Sequence, residues 1–138
     1  MKITLERRYR FSASHLYRRP EWNEEENSRV FGKCAIEPGH GHNYRLWVAV
    51  EGEPDPRTGF VIGLPELDGW VQEAVLEPLD HRHLNQALEE FAIGRNIPSS
   101  ENLLIWILDR LRAAPRPGVE LVFLRLAEDE DLAASWRR

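Results

Sequence analysis

Apolar and polar side chains alternate from residue 2 to residue 14, with Ile3, Leu5, Tyr9, Phe11 and Ala13 on one side and Lys2, Glu6, Arg8 and Arg10 on the other. A period of two predicts a half-buried strand. Arg7 falls on the apolar side, which places it at a strand end, in an interface or against an anionic ligand. From Tyr17 to Ser28 the chain turns polar and is broken by proline, so it reads as a solvated excursion that re-enters at Val30-Phe31-Gly32-Lys33-Cys34. Alternation resumes over residues 42–51, where Tyr44, Leu46, Val48 and Val50 continue the face begun by His40 and His42. Asp55-Pro56-Arg57-Thr58-Gly59 has the chemistry of a turn, and Phe60-Val61-Ile62 follows as a brief strand.

The period then changes. Leu67, Trp70, Val71, Ala74 and Val75 recur at three and four, predicting an amphipathic helix opened by Pro65 and stopped near Pro78. A second helix follows Pro98, with Ser99 or Ser100 as cap, and carries Leu103, Leu104, Ile107, Leu108 and Leu111 before ending near Pro115. Val119 to Ala127 is apolar on both faces, as a covered central strand would be. The segment to Trp136 returns antiparallel through the acidic corner Glu128-Asp129-Glu130-Asp131. The expected fold is α+β, in the order β-β-α-α-β-β, with two helices on one face of a four-stranded antiparallel sheet.

Composition narrows the classes. A length of 138 residues suits a single domain spanning 1–138. No apolar run approaches a membrane span, and charges stand where a signal peptide would need its apolar segment, so a cytoplasmic protein is expected. A net charge of −5 with mixed signs argues against a nucleic-acid surface, while local basic clusters remain able to hold a phosphorylated small molecule. The one cysteine, Cys34, rules out an internal disulfide and is either a small buried apolar residue or a reactive thiol.

Candidate chemistry gathers around Gly39-His40-Gly41-His42-Asn43-Tyr44. Histidines two apart on a strand face the same way and can grip one object. His15 ends the earlier alternating run, so pairing the two strands brings a third imidazole to the same place. Three neutral imidazoles with an open fourth position describe a catalytic zinc site. Cys34, six positions before His40, either acts there as an activated thiolate or closes the site as a fourth ligand. Asp80-His81 places a carboxylate beside an imidazole after the first helix, an arrangement suited to proton transfer. His83 is an alternative partner in that role.

Taken as a set, Ser12-Ala13-Ser14-His15, Phe31-Gly32-Lys33-Cys34, the Gly39–Tyr44 run, Asp55-Pro56 with Thr58-Gly59, Leu79-Asp80-His81 and Ser100-Glu101-Asn102 resemble the 6-pyruvoyl-tetrahydropterin synthase family, which includes 6-carboxy-tetrahydropterin synthase. The resemblance runs from about Phe11 to Trp136. It implies the tunnelling fold, commonly assembled as a hexamer of two trimers. It implies Zn2+ on His15, His40 and His42, Cys34 as the proton-abstracting residue, and a relay of Asp80, His81 and Glu128. It implies Glu101 as the reader of the pterin, with Ser100 beside it in place of the family's usual threonine. Asp129 stands where the family usually has threonine after its glutamate.

The implied substrate is 7,8-dihydroneopterin triphosphate, and the implied reaction is elimination of triphosphate to give 6-pyruvoyl-tetrahydropterin. The 6-carboxy branch, which also releases acetaldehyde and feeds the queuosine precursor pathway, is the alternative. The five residues between Cys34 and His40 resemble the pyruvoyl enzymes. Lys33, Arg29, Arg7 and Arg10 are candidate triphosphate contacts. A zinc hydrolase and a non-catalytic, zinc-stabilised binding module are the remoter readings.

Overall fold

The structure, a computed structural model, describes residues 1–138. Strand β1 (Ile3–His15) pairs antiparallel with β2 (His40–Gly52) along its whole length, from Ile3 opposite Gly52 to His15 opposite His40. Helix α1 (Glu24–Phe31) lies between them in sequence. Helix α2 (Leu64–Val71) has Pro65 in its first turn and continues through a π-helical turn, Gln72–Leu76, to Leu79. A two-residue strand β3 (Arg82–His83) follows, then helix α3 (Ser100–Ala113), strand β4 (Glu120–Ala127) and strand β5 (Ala133–Arg137).

The sheet order is β3-β1-β2-β4-β5. The expected β-β-α-α-β-β order and antiparallel core are therefore present, with one addition: β3 pairs parallel to β1 at Ala13 and Ser14, making five strands instead of four. Two residues carry no readable period, so nothing in the sequence marked this strand. The excursion after Tyr17 is likewise a helix in part. Asn23 accepts a hydrogen bond from the Glu26 amide and caps α1, whose first turn holds three glutamates that oppose the positive end of the helix dipole. Phe60-Val61-Ile62 is irregular, not a strand.

One face of the sheet is the core. Phe11, Tyr44, Leu46, Val48, Val50, Leu124 and Leu126 are buried against Leu67, Trp70, Val71 and Val75 of α2 and Leu103, Ile107 and Leu111 of α3. The other face has no helix over it. There β4 departs from the covered strand that its apolar sequence suggested: Val122 and Phe123 are only half-buried and Arg125 is exposed. Residue 122 is the extra position of a bulge, because Ala49 pairs with Phe123 while Val50 pairs with Leu121.

Candidate active site

The paired ends of β1 and β2 carry the histidines. His15 stands opposite His40, and His42 points to the same side of the sheet as both. Their ring centroids are 5.0 Å (His15–His40), 5.0 Å (His15–His42) and 4.9 Å (His40–His42) apart, nearly an equilateral triangle. Two backbone features permit this. Gly39 has φ +102°, and a Cβ there would lie 2.1 Å from the His15 carbonyl oxygen, so only glycine lets the loop after Cys34 enter β2 here. Asn85 brackets the next residue, accepting from Leu16 N–H at 2.7 Å and donating to Leu16 C=O at 2.8 Å.

Ligand atoms within 4.8 Å of one another fall into two overlapping groups, His15–Cys34–His40 and His15–His42–Glu128, with His15 common to both. His15 is fully buried, and its Nδ1 lies 3.0 Å from the Tyr44 hydroxyl. When Nδ1 donates to that oxygen, Nε2 carries the free lone pair. Nε2 of His15 and Nε2 of His42 are both buried without a hydrogen-bond partner. Buried nitrogen lone pairs left unpaired are costly in a folded protein unless something positive meets them. The donor set of imidazoles, thiol and carboxylate therefore fits a metal ion of borderline softness.

Burial, with His42, His40 and His83 around it, pushes the His15 pKa down to about 3, so the ring stays neutral, the state a ligand needs. Cys34 Sγ lies 3.7 Å from His40 Nε2. Burial, and then the Glu128 carboxylate, push the Cys34 thiol above its ordinary value, so its thiolate requires positive charge beside it. Tyr17 and Tyr44 are raised too, chiefly by burial, and both remain phenols.

Glu128, buried just past β4, links the site to α3. Its Oε1 accepts from the Ser100 hydroxyl at 2.8 Å, and its Oε2 stands 3.4 Å from His42 Nε2. Ser100 is thus buried and committed to Glu128, while Ser99 is the helix cap, accepting from Asn102 N–H. Glu101, in the first turn of α3, is exposed. Asp80 and His81 sit at the end of α2. Asp80 Oδ1 accepts from Ser12 N–H at 2.9 Å and lies 2.9 Å from His81 Nδ1; the Ser12 amide, and then His81, hold its carboxyl below the usual range. His81 has φ +59°, unusual for a side-chain-bearing residue, and its amide donates to Ser12 C=O at 2.6 Å. This pair lines an open cavity of about 760 Å³ together with His42 and Glu128. It makes no hydrogen bond to Cys34. His83 is elsewhere engaged, with Nε2 3.0 Å from the Pro38 carbonyl oxygen.

Sequence reasoning missed Tyr44 as the partner of His15, Tyr17 beside it with ring centroids 4.4 Å apart, and the Asn85 clamp. Two of the cations weighed as phosphate contacts are committed inside the chain: Arg7 to Asp68, with Nε–Oδ1 at 2.9 Å, and Arg29 to Glu26 at 2.6 Å.

Fold and site together define an α+β protein with helices on one face of a mainly antiparallel sheet and, at the end of its two longest strands, a histidine cluster suited to a cation. The 6-pyruvoyl tetrahydropterin synthase family model matches residues 4–138, and the chain belongs to that family. It is 42% identical over 113 residues to the 6-pyruvoyl tetrahydrobiopterin synthase of Homo sapiens, covering 82% of this chain and 77% of the human one. It is 42% identical over 134 residues to the Drosophila melanogaster protein of the same name, covering 96% and 78%. The solved Caenorhabditis elegans 6-pyruvoyl tetrahydropterin synthase superposes with a TM-score of 0.87 at 32% identity, over 100% of this chain and 96% of that one.

Proposed function

We propose that this protein converts 7,8-dihydroneopterin triphosphate to 6-pyruvoyl-tetrahydropterin, a lyase reaction that eliminates triphosphate. The observation that carries the reading is the triangle of imidazoles, with ring centroids no more than 5.0 Å apart, beside a thiol 3.7 Å from His40, in a chain of this family. His15, His40 and His42 would hold Zn2+, which supplies Lewis acidity to the side-chain hydroxyls and positive charge that favours the Cys34 thiolate. Cys34 removes a carbon-bound proton from the substrate side chain. Asp80 orients His81 and stabilises its charged form, so that the imidazole can return or accept a proton at the mouth of the cavity. Ser100 fixes one oxygen of Glu128, and the other stands 3.4 Å from His42 Nε2, beside the place the metal would take. Glu101, free at the start of α3, accepts paired hydrogen bonds from the pterin's amino group and ring N–H.

Incubating purified, zinc-loaded protein with dihydroneopterin triphosphate and identifying the products tests this directly. Expected are 6-pyruvoyl-tetrahydropterin and free triphosphate. Acetaldehyde with a 6-carboxy product would move the protein to the other branch, and intact substrate would sink the lyase reading. Cys34→Ala should abolish turnover while zinc stays bound; zinc lost with the sulfur would mean a closed structural site. Glu101→Ala should weaken substrate binding. The uncovered sheet face supports assembly of copies, as two trimers in a hexamer, which the mass of the particle in solution checks. No helix is long and apolar enough to cross a membrane, and the single unpaired cysteine fits a reducing, cytoplasmic setting.

A further inference from the structure

Two tyrosines touch His15, and the chain engages the hydroxyl of only one. Tyr44 sets its hydroxyl 3.0 Å from His15 Nδ1. Tyr17 lays its ring against the same imidazole, with centroids 4.4 Å apart and planes 35° from parallel, and meets Phe31 edge to face at 5.9 Å and 78°. Its amide donates to the Cys34 C=O at 2.8 Å, which ties this backbone to the turn that carries the thiol. Ring and backbone are both held, yet the Tyr17 hydroxyl makes no hydrogen bond within the chain. Unlike Nε2 of His15 and of His42, it is not sealed from its surroundings either. The titratable groups near enough to act on it through charge are Glu128, Tyr44, Cys34 and Glu101. Of these, Cys34 is the proposed base and Glu101 the proposed reader of the pterin, so the free donor stands within reach of both ends of a bound substrate. A phenylalanine would pack against His15 and Phe31 equally well; what tyrosine adds is the unpaired O–H.

We infer that the Tyr17 hydroxyl is a further catalytic group of this reaction, donating a hydrogen bond to N5, the pterin ring nitrogen next to the carbon that bears the side chain. This deepens the lyase reading and rests on it. In a 7,8-dihydropterin N5 is doubly bonded to C6, and in the tetrahydropterin product it carries a hydrogen. The Cys34 thiolate takes the proton from the side-chain carbon attached to C6. The C–H electron pair becomes a double bond to C6, the C6=N5 π pair moves onto N5, and N5 takes a proton from water. Negative charge therefore builds at N5 while the C–H bond breaks. With Glu101 at the amino end of the pterin and Cys34 at the side chain, N5 is the ring acceptor bordering the bond that Cys34 attacks. A donor on a ring already fixed by His15 and Phe31 meets that charge with little rearrangement, so it stabilises the transition state more than the bound substrate.

Tyr17→Phe keeps the ring and removes only the hydroxyl. With zinc content unchanged, it should lower kcat for dihydroneopterin triphosphate about 10²-fold, while KM rises no more than about fivefold. An unchanged kcat would overturn the inference, since the hydroxyl would then be a solvated group only. Zinc lost with the hydroxyl would overturn it as well, by making Tyr17 a support for His15. A second measurement needs neither turnover nor a folded variant. Unphosphorylated 7,8-dihydroneopterin has no triphosphate to eliminate, and calorimetry compares its binding to the wild type with that of the analogue in which CH replaces N5. The wild type should bind the parent about fivefold more tightly, and Tyr17→Phe should bind the two alike. Equal binding by the wild type would overturn the inference. If the preference appears and vanishes in the variant while the wild type forms no pterin product, the contact with N5 stands and the lyase reading fails. If the wild type forms the product and Tyr17→Phe matches its kcat, the lyase reading stands and Tyr17 has no part in it.

Discussion

The two halves of the candidate site are built differently. In the buried half, three groups are fixed from behind: His15 by Tyr44, Leu16 by Asn85 and Glu128 by Ser100. In the exposed half, His81 is more than four-fifths open to solvent and is held only through Asp80 and the Ser12 backbone. The buried half is preorganised to hold something small and positive without moving. The exposed half is poised to meet something arriving from outside, which suits the exchange of protons with substrate and solvent.

Breaking the buried half should therefore cost most. His15 belongs to both ligand groups, so His15→Ala should bring bound zinc and turnover together to background, read by metal analysis and product formation on the same sample. Retained stoichiometric zinc would show that His15 is not a ligand. Breaking the exposed half should leave zinc in place. Asp80→Asn keeps the shape and the contact with Ser12 while removing the charge that steadies the His81 imidazolium, so kcat should fall about 10²-fold with metal content unchanged. Equal activity would remove Asp80 from the proton relay.

A smaller effect separates a ligand from its support. Tyr44 stacks on Phe11 with centroids 4.9 Å apart and planes 7° from parallel, so Tyr44→Phe retains the packing and removes only the hydroxyl that meets His15 Nδ1. Metal affinity should drop about tenfold, at the low end of the range for groups that orient a metal-binding histidine. Titration against a competing chelator measures it.

The same division explains what could be read from sequence. The buried half follows from strand phase: Tyr44, Leu46 and Val48 fix which side is the core, and His40 and His42 follow from a period of two. The cap at Ser99 and the end of α2 near Pro78 are local signals as well. What stayed hidden depends on pairing between distant segments. Ser100 meets Glu128 across 28 positions, His15 meets Tyr44 across 29, and β3 exists only because β1 offers it an edge. Arg10 and Arg45 face each other only through the strand register, which alternation alone does not show. Helix α1 was legible in principle, because Asn23 followed three residues later by Glu26 is a start signal that the surrounding polarity obscured.

The smallest effect concerns stability and sharpens the contrast from the buried side alone. His15 has a folded pKa of about 3 against an ordinary 6.5, lowered first by burial and then by the neighbouring imidazoles. Below pH 6.5 the unfolded chain takes up a proton that the folded protein refuses. The contribution is thus fully present above that pH, is lost as pH falls toward about 3, and changes no further below it. One group can impose a slope of at most about 1.4 kcal/mol per pH unit. Carboxylates add their own slope in the acid range, so the quantity to follow is the difference between metal-free wild type and metal-free His15→Gln, measured by denaturant unfolding from pH 7 to pH 4. The wild type should lose stability faster than the variant across that window. Parallel curves would mean that the folded protein protonates His15 as readily as the unfolded chain does, and the buried half would then lack the rigidity that sets it apart from Asp80 and His81.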